Sequence, residues 1–248
     1  MEILKQDEEK FVSDWQKYGQ MFATNGRGHF ELDENLLFPC LTDYRDSAGS
    51  MDFHYYTMDI LVSSLIINSG VKEHLDVGSR IDGLVSHLLA AGIPVTEMDI
   101  RPLNQYDPGC GVTKLSFVQG DATNLNNIES DSVFSLSSLH AIEHFGLGRY
   151  GDDIDPNACF NALEALQRVL QPGGRLYLAV PVSAEERVHF NAHRIFNPIT
   201  IVTSLDKLKL LDVYYLSNMK LYHFAPDEYE SGIDNLGAYD CGIFVFSK

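Results

Sequence analysis

The sequence has little positive charge. It contains 18 Lys and Arg residues against 35 Asp and Glu, which gives the 248-residue chain a formal net charge of −17. Nucleic-acid binding depends on clustered Lys and Arg residues that neutralise phosphates. This deficit argues against DNA, RNA or tRNA as a partner and favours a small-molecule substrate.

Cysteine and long apolar runs are also scarce. The four cysteines are widely spaced and form no C-x-x-C pair, so the sequence signals neither a thiolate zinc site nor a redox motif. No apolar run approaches the roughly 18 residues of a membrane span, and the N-terminus lacks the pattern of a secretion signal. We therefore expect reduced thiols, no membrane segment and a cytoplasmic location.

Hydrophobic residues are present in the proportion of an ordinary globular protein, at 45%. The length suits one α/β domain with an extension. We predict an N-terminal helical extension, or cap, over residues 1–70 and a single domain over 71–248. In the domain, strands that alternate with helices predict a mostly parallel sheet covered on both faces. The seven predicted strands lie near residues 74–78, 95–100, 115–120, 132–138, 175–181, 210–217 and 242–247. A long loop is expected between the last two.

The first strand leads into a glycine turn. Leu75 and Val77 suit a short buried strand, Gly78 permits a sharp turn, and apolar residues recur afterwards at helical spacing. Asp99 follows about 20 residues after the turn, at the end of the second strand, where a carboxylate can hold a ribose diol. The pattern predicts a nucleoside-binding crevice.

The glycine pattern also favours one class of cofactor. Dinucleotide sites use G-x-G-x-x-G because a pyrophosphate must approach the backbone closely. Here Arg80 stands in place of the second glycine. S-adenosylmethionine has no pyrophosphate, and its carboxylate could pair with Arg80. The loop therefore favours a methyl donor over NAD, although the Gly78 to Gly83 spacing and Asp99 keep an NAD-dependent oxidoreductase open.

The order of the segments from about residue 70 onwards resembles the class I S-adenosylmethionine-dependent methyltransferases. The resemblance rests on the segments 115–122, with its G-D-A turn, 132–138, and 170–181, with its P-G-G turn. The glycine motif departs from the family pattern, since only Asp76 and Gly78 match. This resemblance implies a Rossmann-like fold whose last strand is antiparallel, and S-adenosylmethionine as the cofactor.

Together, the crevice and the resemblance define a predicted cofactor site. Asp76, Gly78, Ser79 and Arg80 would hold the methionine end and Asp99 the ribose. The resemblance implies that Asp121, with Ala122, faces the adenine. The complete predicted set is Asp76, Gly78, Ser79, Arg80, Asp99, Ile100, Asp121, Ala122 and Ser138.

Polar residues follow the fourth strand, where open α/β sheets bind ligands. Methyl transfer to a hydroxyl requires removal of a proton, which a histidine can accept near neutral pH. We predict His140 as the first choice of general base and His144 as the second, with Glu143 orienting a histidine or binding the acceptor. The same residues spell H-x-x-E-H, so a metallohydrolase is a remote alternative. No metal is predicted.

Two further segments are candidates for binding the acceptor. His54, Tyr55 and Tyr56 precede the first strand and could form a lid. The polar run after the fifth strand includes His189, His193 and Arg194, whose side chains suit an oxygen-rich acceptor. The lid residues chosen for binding are His54 and Tyr56.

These observations predict a methyltransferase that acts on a small polar or sugar-like acceptor, most simply by O-methylation. A protein that binds S-adenosylmethionine without catalysis is an alternative, because the glycine motif is incomplete. The acceptor itself cannot be deduced from these residues.

Overall fold

A computed structural model describes residues 3–25, 31–45, 49, 51–104 and 114–248. The chain divides into two compact units, 1–51 and 52–248. The first contains the helix α1 (Lys5–Asn25) and two short 3-10 turns. In this unit Arg45 forms an ion pair with Asp7 at 2.6 Å.

The second unit begins with α2 (Phe53–Asn68). Asp52 caps this helix because its carboxylate accepts hydrogen bonds from the backbone N–H groups of His54 and Tyr55. Met58, Val62 and other buried residues of α2 pack with residues of the sheet. We predicted α2 as part of an N-terminal extension over 1–70. By its contacts, α2 belongs to the unit that contains the sheet.

The remaining helical segments are short. A helical turn (Ile81–Val85) leads into α3 (Ser86–Ala90), and α4 (Ala158–Val169) and α5 (Pro198–Ser204) follow later in the chain. Two 3-10 segments span Ile142–His144 and Tyr229–Asn235. Among the described residues, no helix combines the length and the apolar character that a membrane crossing requires.

The described residues contain ten strands: β1 (His74–Val77), β2 (Val95–Asp99), β3 (Leu115–Gln119), β4 (Val133–Leu139), β5 (Leu170–Val182), β6 (Arg187–His189), β7 (His193–Ile195), β8 (Lys209–Ser217), β9 (Lys220–Phe224) and β10 (Asp240–Ser247). Eight of them form one sheet in the order β3-β2-β1-β4-β5-β10-β8-β9, and β6 pairs with β7 in a separate hairpin. The strands from β3 to β5 are parallel, whereas β10 runs antiparallel to β5 and β8. Buried apolar residues on both faces of the sheet explain why helices cover each side.

The mostly parallel sheet with an antiparallel last strand is confirmed, but the sheet has eight strands instead of seven. The additional strand, β9, lies within the segment predicted as a long loop. It pairs with β8 through a tight turn at Asn218 and Met219, whose φ angles are 50° and 58°. Two consecutive residues with positive φ are typical of a type I′ hairpin turn. The sequence does not predict this turn, because glycine is the usual second residue and methionine occupies that position here.

The strand order reverses beside β1, since the chain proceeds from β1 outwards to β3 and then returns to β4 on the other side. Ligands of open α/β sheets bind at such a reversal, outside the carboxyl ends of the strands. The ends of β1, β2 and β4 therefore position the candidate site.

A buried histidine joins β1 to β4 beneath this site. The His74 ring nitrogens Nδ1 and Nε2 each lie 2.7 Å from a hydroxyl oxygen, that of Ser135 and that of Ser137 respectively. Ser137 donates its proton to Asp76, so its oxygen accepts from the Nε2–H of His74, and Nδ1 accepts from Ser135. Burial lowers the pKa of His74 to about 3, so the ring is neutral.

Replacing His74 by Gln should make the free energy of unfolding less dependent on pH. Below the ordinary pKa of 6.5, the unfolded chain binds a proton at His74 that the folded chain excludes. Wild-type stability should therefore fall by about 1.4 kcal/mol per pH unit from this group as the pH drops from about 6 to about 4. Urea unfolding followed by circular dichroism measures the difference. Tryptophan fluorescence is unsuitable because the single tryptophan, Trp15, lies in the other unit.

The exposed His189 provides the matched control. His189→Gln should retain the fall in stability between about pH 6 and about pH 4 that His74 contributes. Parallel curves for wild type and His74→Gln would contradict the assignment of a buried neutral imidazole.

Candidate functional site

A cleft of about 1070 Å³ opens at the carboxyl ends of β1, β2 and β4. This volume is slightly above the roughly 300–1,000 Å³ of a typical small-molecule pocket, so two small ligands can bind side by side. The residues that line it include Tyr55, Gly78, Ser79, Arg80, Glu97, Asp99, Arg101, His140, Glu143, His144, Arg149, Tyr150, His193 and Tyr239.

The loop after β1 is shaped by a buried carboxylate. Asp76 is fully buried and accepts hydrogen bonds from the backbone N–H of Ser79 at 3.0 Å and from its hydroxyl at 2.8 Å. Ser79 also accepts from the backbone N–H of Leu139, which ties the loop to β4. Asp76 and the Ser79 side chain thus hold the loop in shape, and their polar atoms are engaged within the protein.

Two glycines of this loop are required for different reasons. Gly78 has a φ of +72°, and a Cβ there would lie 2.8 Å from the Cβ of Ala141. The turn therefore passes too close to the segment after β4 for any side chain. A Cβ on Gly83 would lie 2.1 Å from a carboxylate oxygen of Asp59 on α2. Gly83 thus serves the packing of α2, which explains its departure from the expected glycine spacing.

Arg80 is an exposed residue of the loop after β1 and lines the cleft. Its guanidinium pairs with Asp82 at 2.7 Å and stands 4.8 Å above the ring of Tyr55. The ion pair is exposed on both sides, and exposed pairs contribute little to stability. Arg80 can therefore exchange Asp82 for an anionic group of a ligand at small cost.

Asp99, at the end of β2, faces the cleft. Its carboxylate accepts from the backbone N–H and from the Nε–H of Arg101, at 2.8 and 2.9 Å. Beside it, an apolar recess extends towards Asp121, which accepts from the backbone N–H of Thr123 at 2.8 Å. Most of the surface of this recess is apolar, and the apolar side chains that line it include Val77, Met98, Ile100, Ala122 and Phe145. The structure thus brings together Asp99, Ile100, Asp121 and Ala122, as the sequence predicted.

Ser138 has a different position from that expected of a cofactor contact. Its side chain is fully buried, and its hydroxyl donates to the backbone carbonyl of Val77 at 3.0 Å. The residue joins β4 to β1 and does not line the cleft.

Glu97 is a site residue that the sequence analysis missed. It pairs in register with Asp76 across β2 and β1, and it is 1% exposed. Burial, followed by the charge and hydrogen bond of Asp76, raises the pKa of Glu97 to about 12. Glu97 is therefore protonated at neutral pH and shares its proton with Asp76. The alternation of polar and apolar residues along β2 could not reveal the contact between Glu97 and Asp76. That contact depends on the register between β1 and β2.

His140 and Glu143 form a buried ion pair. The His140 Nδ1 lies 2.9 Å from the Glu143 Oε1, and both side chains are at most 3% exposed. Burial opposes a charge on His140, but Cys241 and Glu143 more than offset it and raise the pKa of His140 well above its ordinary value. The ion pair with Glu143 therefore favours the imidazolium form of His140, in which neither ring nitrogen has a free lone pair with which to accept a proton.

His144 differs from His140, because its environment favours the neutral imidazole. Its Nδ1 donates to the backbone carbonyl of Ala192 at 2.6 Å, which fixes the proton on that nitrogen. Burial, aided by the nearby Arg149 and His140 cations, lowers the pKa of His144 despite the influence of Glu143. The Nε2 of His144 therefore carries a free lone pair at neutral pH and lies 3.7 Å from a Glu143 oxygen.

The far wall of the cleft is formed by aromatic and imidazole rings. Tyr239 packs against His193 with ring centroids 4.9 Å apart, and Tyr55 packs against His140 at 5.3 Å. Three buried polar atoms on this side, His140 Nε2, Glu143 Oε2 and His193 Nε2, have no hydrogen-bond partner among the described residues. Buried polar atoms without a partner require a hydrogen-bonding group from outside the described residues, such as a water or a ligand.

The other predicted acceptor residues lie outside this wall. His54 stacks on Tyr239 with ring centroids 6.4 Å apart, whereas Tyr56 and His189 are exposed, and none of the three lines the cleft. The Arg194 guanidinium donates to the backbone carbonyl of Phe145 at 2.6 Å and braces the segment after β4. Of the predicted set, only His193 lines the cleft. Tyr55, Phe117, Tyr150 and Tyr239 are the aromatic residues that do so.

The H-x-x-E-H spelling does not form the helix that a metallohydrolase motif requires. Within the described range 114–248, its residues lie on a strand end and a three-residue 3-10 turn, and His140 has a φ of +51°. One oxygen of Glu143 lies beside both imidazole rings, 2.9 Å from His140 Nδ1 and 3.7 Å from His144 Nε2.

Three solved structures share this architecture. A 1,6-didemethyltoxoflavin-N1-methyltransferase from Burkholderia thailandensis, with bound S-adenosylhomocysteine, aligns with a TM-score of 0.55 and 15% identity over 100% of this chain and 92% of that one. A proposed sarcosine dimethylglycine methyltransferase from Galdieria sulphuraria aligns with a TM-score of 0.56 and 14% identity over 77% and 85%. The chain has the class I methyltransferase fold. The same fold also occurs in the [4+2]-cyclase SpnF, which aligns with a TM-score of 0.56 and 15% identity over 94% and 96%.

Sequence comparison adds one match to a family model. A family model described as "Caenorhabditis protein of unknown function, DUF268" matches residues 114–231. The match starts at β3 and so leaves out the glycine turn and Asp99. No curated protein matches the sequence.

Replacing Glu143 by Gln should lower the pKa of His140 by about one to three units, because an opposite charge in contact favours the charged imidazolium by that amount. Titration of the imidazole resonances by nuclear magnetic resonance measures the shift. The exposed Glu185 offers a control, since Glu185→Gln should leave His140 unchanged. Equal His140 titration in wild type and Glu143→Gln would contradict the buried ion pair.

Proposed function

We propose that this protein is an S-adenosylmethionine-dependent methyltransferase that acts on a small polar acceptor, such as a sugar-like molecule, and methylates a hydroxyl. The observation that carries the proposal is the carboxylate of Asp99 at the end of β2, beside an apolar recess that ends at Asp121. A ribose diol and a flat base match this combination of a carboxylate and an apolar slot.

The residues present fit the cofactor in three places. Asp99 would accept hydrogen bonds from the ribose hydroxyls, and Ile100 and Ala122 would flank the base, with Asp121 at its polar edge. Gly78 leaves room for the chain of the ligand, and Arg80 would pair with its carboxylate. Asp76 and Ser79 would act through the shape of the loop. When bound, the cofactor supplies an electrophilic methyl group on a sulfonium.

The acceptor would lie between the cofactor and the ring wall. Glu143 Oε2 and His193 Nε2 are available to its hydrogen-bonding groups. His144 would remove the proton of the attacking hydroxyl, because its Nε2 is free and its pKa is lowered. This assignment reverses the order of the two histidines expected from sequence. His140 would instead hold Glu143 in place as its ion-pair partner.

A small-molecule acceptor agrees with the acidic composition, and we propose a cytoplasmic location because the thiols of Cys159 and Cys241 are free and buried. The structural similarity to the cyclase SpnF shows that this fold alone does not determine which reaction is catalysed. The experiments therefore address the cofactor first and the chemistry second.

Isothermal titration should show binding of S-adenosylhomocysteine to the wild-type protein and at least about tenfold weaker binding to Asp99→Ala. The loss follows from charge-assisted hydrogen bonds to the ribose, each contributing about 1.5–3 kcal/mol. Asp206→Ala, which removes an exposed carboxylate, should bind as wild type does. NAD is titrated in parallel, and binding of NAD without the sulfur nucleoside would make an oxidoreductase the better proposal.

The pH dependence of kcat/KM should identify the base, once an acceptor has been found by screening hydroxylated small molecules. The wild-type profile should rise through a pKa below 6.5 and then stay level, because neutral His144 is the active form. His144→Gln should lose this acidic limb and about 10²- to 10⁴-fold of the rate. His140→Gln should keep the limb.

The opposite pattern would restore His140 as the base. A protein that binds S-adenosylhomocysteine but methylates none of the hydroxylated compounds or matched amines would favour a binding role without catalysis.

A further inference from the structure

Arg149 is a cation of the cleft that the functional proposal above does not use. Its side chain is exposed and lines the cleft, on the segment that follows the 3-10 turn Ile142–His144. Among the residues that the structure describes, it contacts a backbone carbonyl, an imidazole and a tyrosine ring but no carboxylate. A cleft concentrates the field of the charges that line it. In a chain with a net charge of −17, this cation therefore indicates a place for an anionic ligand group.

The other two arginines of the cleft have carboxylate partners close in sequence. Arg80 pairs with Asp82, and Arg101 pairs with Asp99. Of the three arginines that line the cleft, only Arg149 has no ion pair within the described part of the chain. A ligand anion can therefore bind Arg149 without first displacing a carboxylate of the protein.

Two contacts hold the Arg149 guanidinium in place. Its Nη1 donates to the backbone carbonyl of Ala192 at 2.9 Å, and its central carbon lies 5.2 Å from the ring centroid of Tyr150. The Nε and Nη2 donors have no hydrogen-bond partner among the described residues. Two parallel N–H groups of a guanidinium match the two oxygens of a carboxylate. Arg149 thus presents a positioned edge with the donors that a carboxylate requires.

Arg149 also lies beside the proposed base, His144. Both side chains donate to the carbonyl of Ala192, and the Arg149 Nη1 lies 3.3 Å from the His144 Nδ1. An acceptor whose hydroxyl reaches His144 therefore comes within reach of Arg149. When His144 takes up the hydroxyl proton, its new charge is repelled by the guanidinium. A carboxylate bound to Arg149 would offset this repulsion and favour the proton transfer.

We propose that Arg149 binds a carboxylate of the methyl acceptor, so that the acceptor is a hydroxylated carboxylic acid. This inference rests on the proposed function, since it concerns the molecule whose hydroxyl is methylated, and it narrows the small polar acceptors to hydroxy acids. A carboxylate fits the site better than a phosphate monoester does. The phosphate brings about two negative charges and three acceptor oxygens, whereas the site offers one guanidinium edge without a partner.

Matched acids and amides test whether the site recognises a carboxylate. Glucuronate and lactate are hydroxylated acids, and glucuronamide and lactamide are their neutral counterparts. In isothermal titrations of wild-type protein saturated with S-adenosylhomocysteine, at least one acid should bind at least about tenfold more tightly than its amide. Arg149→Gln should abolish this preference, because it removes the charge and the paired donors. Arg175, which is exposed and does not line the cleft, provides the control, since Arg175→Gln should keep the preference.

Three results would overturn the carboxylate assignment and leave the proposed function intact. The first is wild-type binding of both acids no tighter than that of their amides. The second is an acid preference that survives in Arg149→Gln. The third is Arg149-dependent binding of glucose 6-phosphate that is tighter than the binding of glucuronate, which would make a phosphate the ligand group.

A charge-conserving variant separates recognition from structure. Affinity of Arg149→Gln for S-adenosylhomocysteine within about threefold of wild type shows that its cleft is intact. If that affinity is lost, Arg149→Lys keeps the charge and takes its place. A lysine variant that binds S-adenosylhomocysteine but shows no preference for either acid would overturn the proposal.

The same titrations without S-adenosylhomocysteine distinguish the two proposals. A wild-type protein that does not bind the sulfur nucleoside but prefers an acid through Arg149 would overturn the proposed function and retain the carboxylate site. A wild-type protein that shows neither property would overturn both.

Discussion

The candidate site depends on the burial of one carboxylate, that of Asp76. A buried carboxylate is costly unless hydrogen bonds replace its water. Here the replacements come from the Ser79 backbone and hydroxyl, from Ser137 and from the protonated Glu97. These donors lie on the loop after β1, on β4 and on β2. Satisfying Asp76 therefore fixes the relative positions of the elements that form the cleft.

The charges in the cleft are set by environment and not by residue type. His140 and His144 are four residues apart, yet one is held as a cation by the buried Glu143 and the other as a neutral ring by burial and nearby cations. Groups whose pKa values are driven apart in this way can take separate acid and base roles. The same principle holds for Asp76 and Glu97, which share one proton on adjacent strands.

Much of the fold could be predicted from sequence because buried strands have apolar runs and the turns after them have glycine or proline. Asp99 and Asp121 could be placed as well, since the carboxyl ends of parallel strands meet at one edge of the sheet. Strand β9 was not predicted, because it follows a turn at Asn218 and Met219 that local propensity does not favour. Glu97 could not be recognised because its role follows from the register with Asp76. The proposed order of the two histidines differs from the expected one for a related reason, since their pKa values depend on contacts that the sequence does not show, among them those with Glu143 and Ala192.

The charge balance of the proposed reaction gives a physical reason for the position of His144. In the proposed reaction, the loss of the sulfonium charge would be matched by a positive charge on the group that accepts the hydroxyl proton. His144 would gain that charge at a nitrogen 3.7 Å from a Glu143 oxygen. His140 cannot fill this role because it already carries its proton. A charge that forms beside an oppositely charged group already fixed in place requires little reorganisation of its surroundings, which is the condition under which fixed dipoles and charges assist catalysis most.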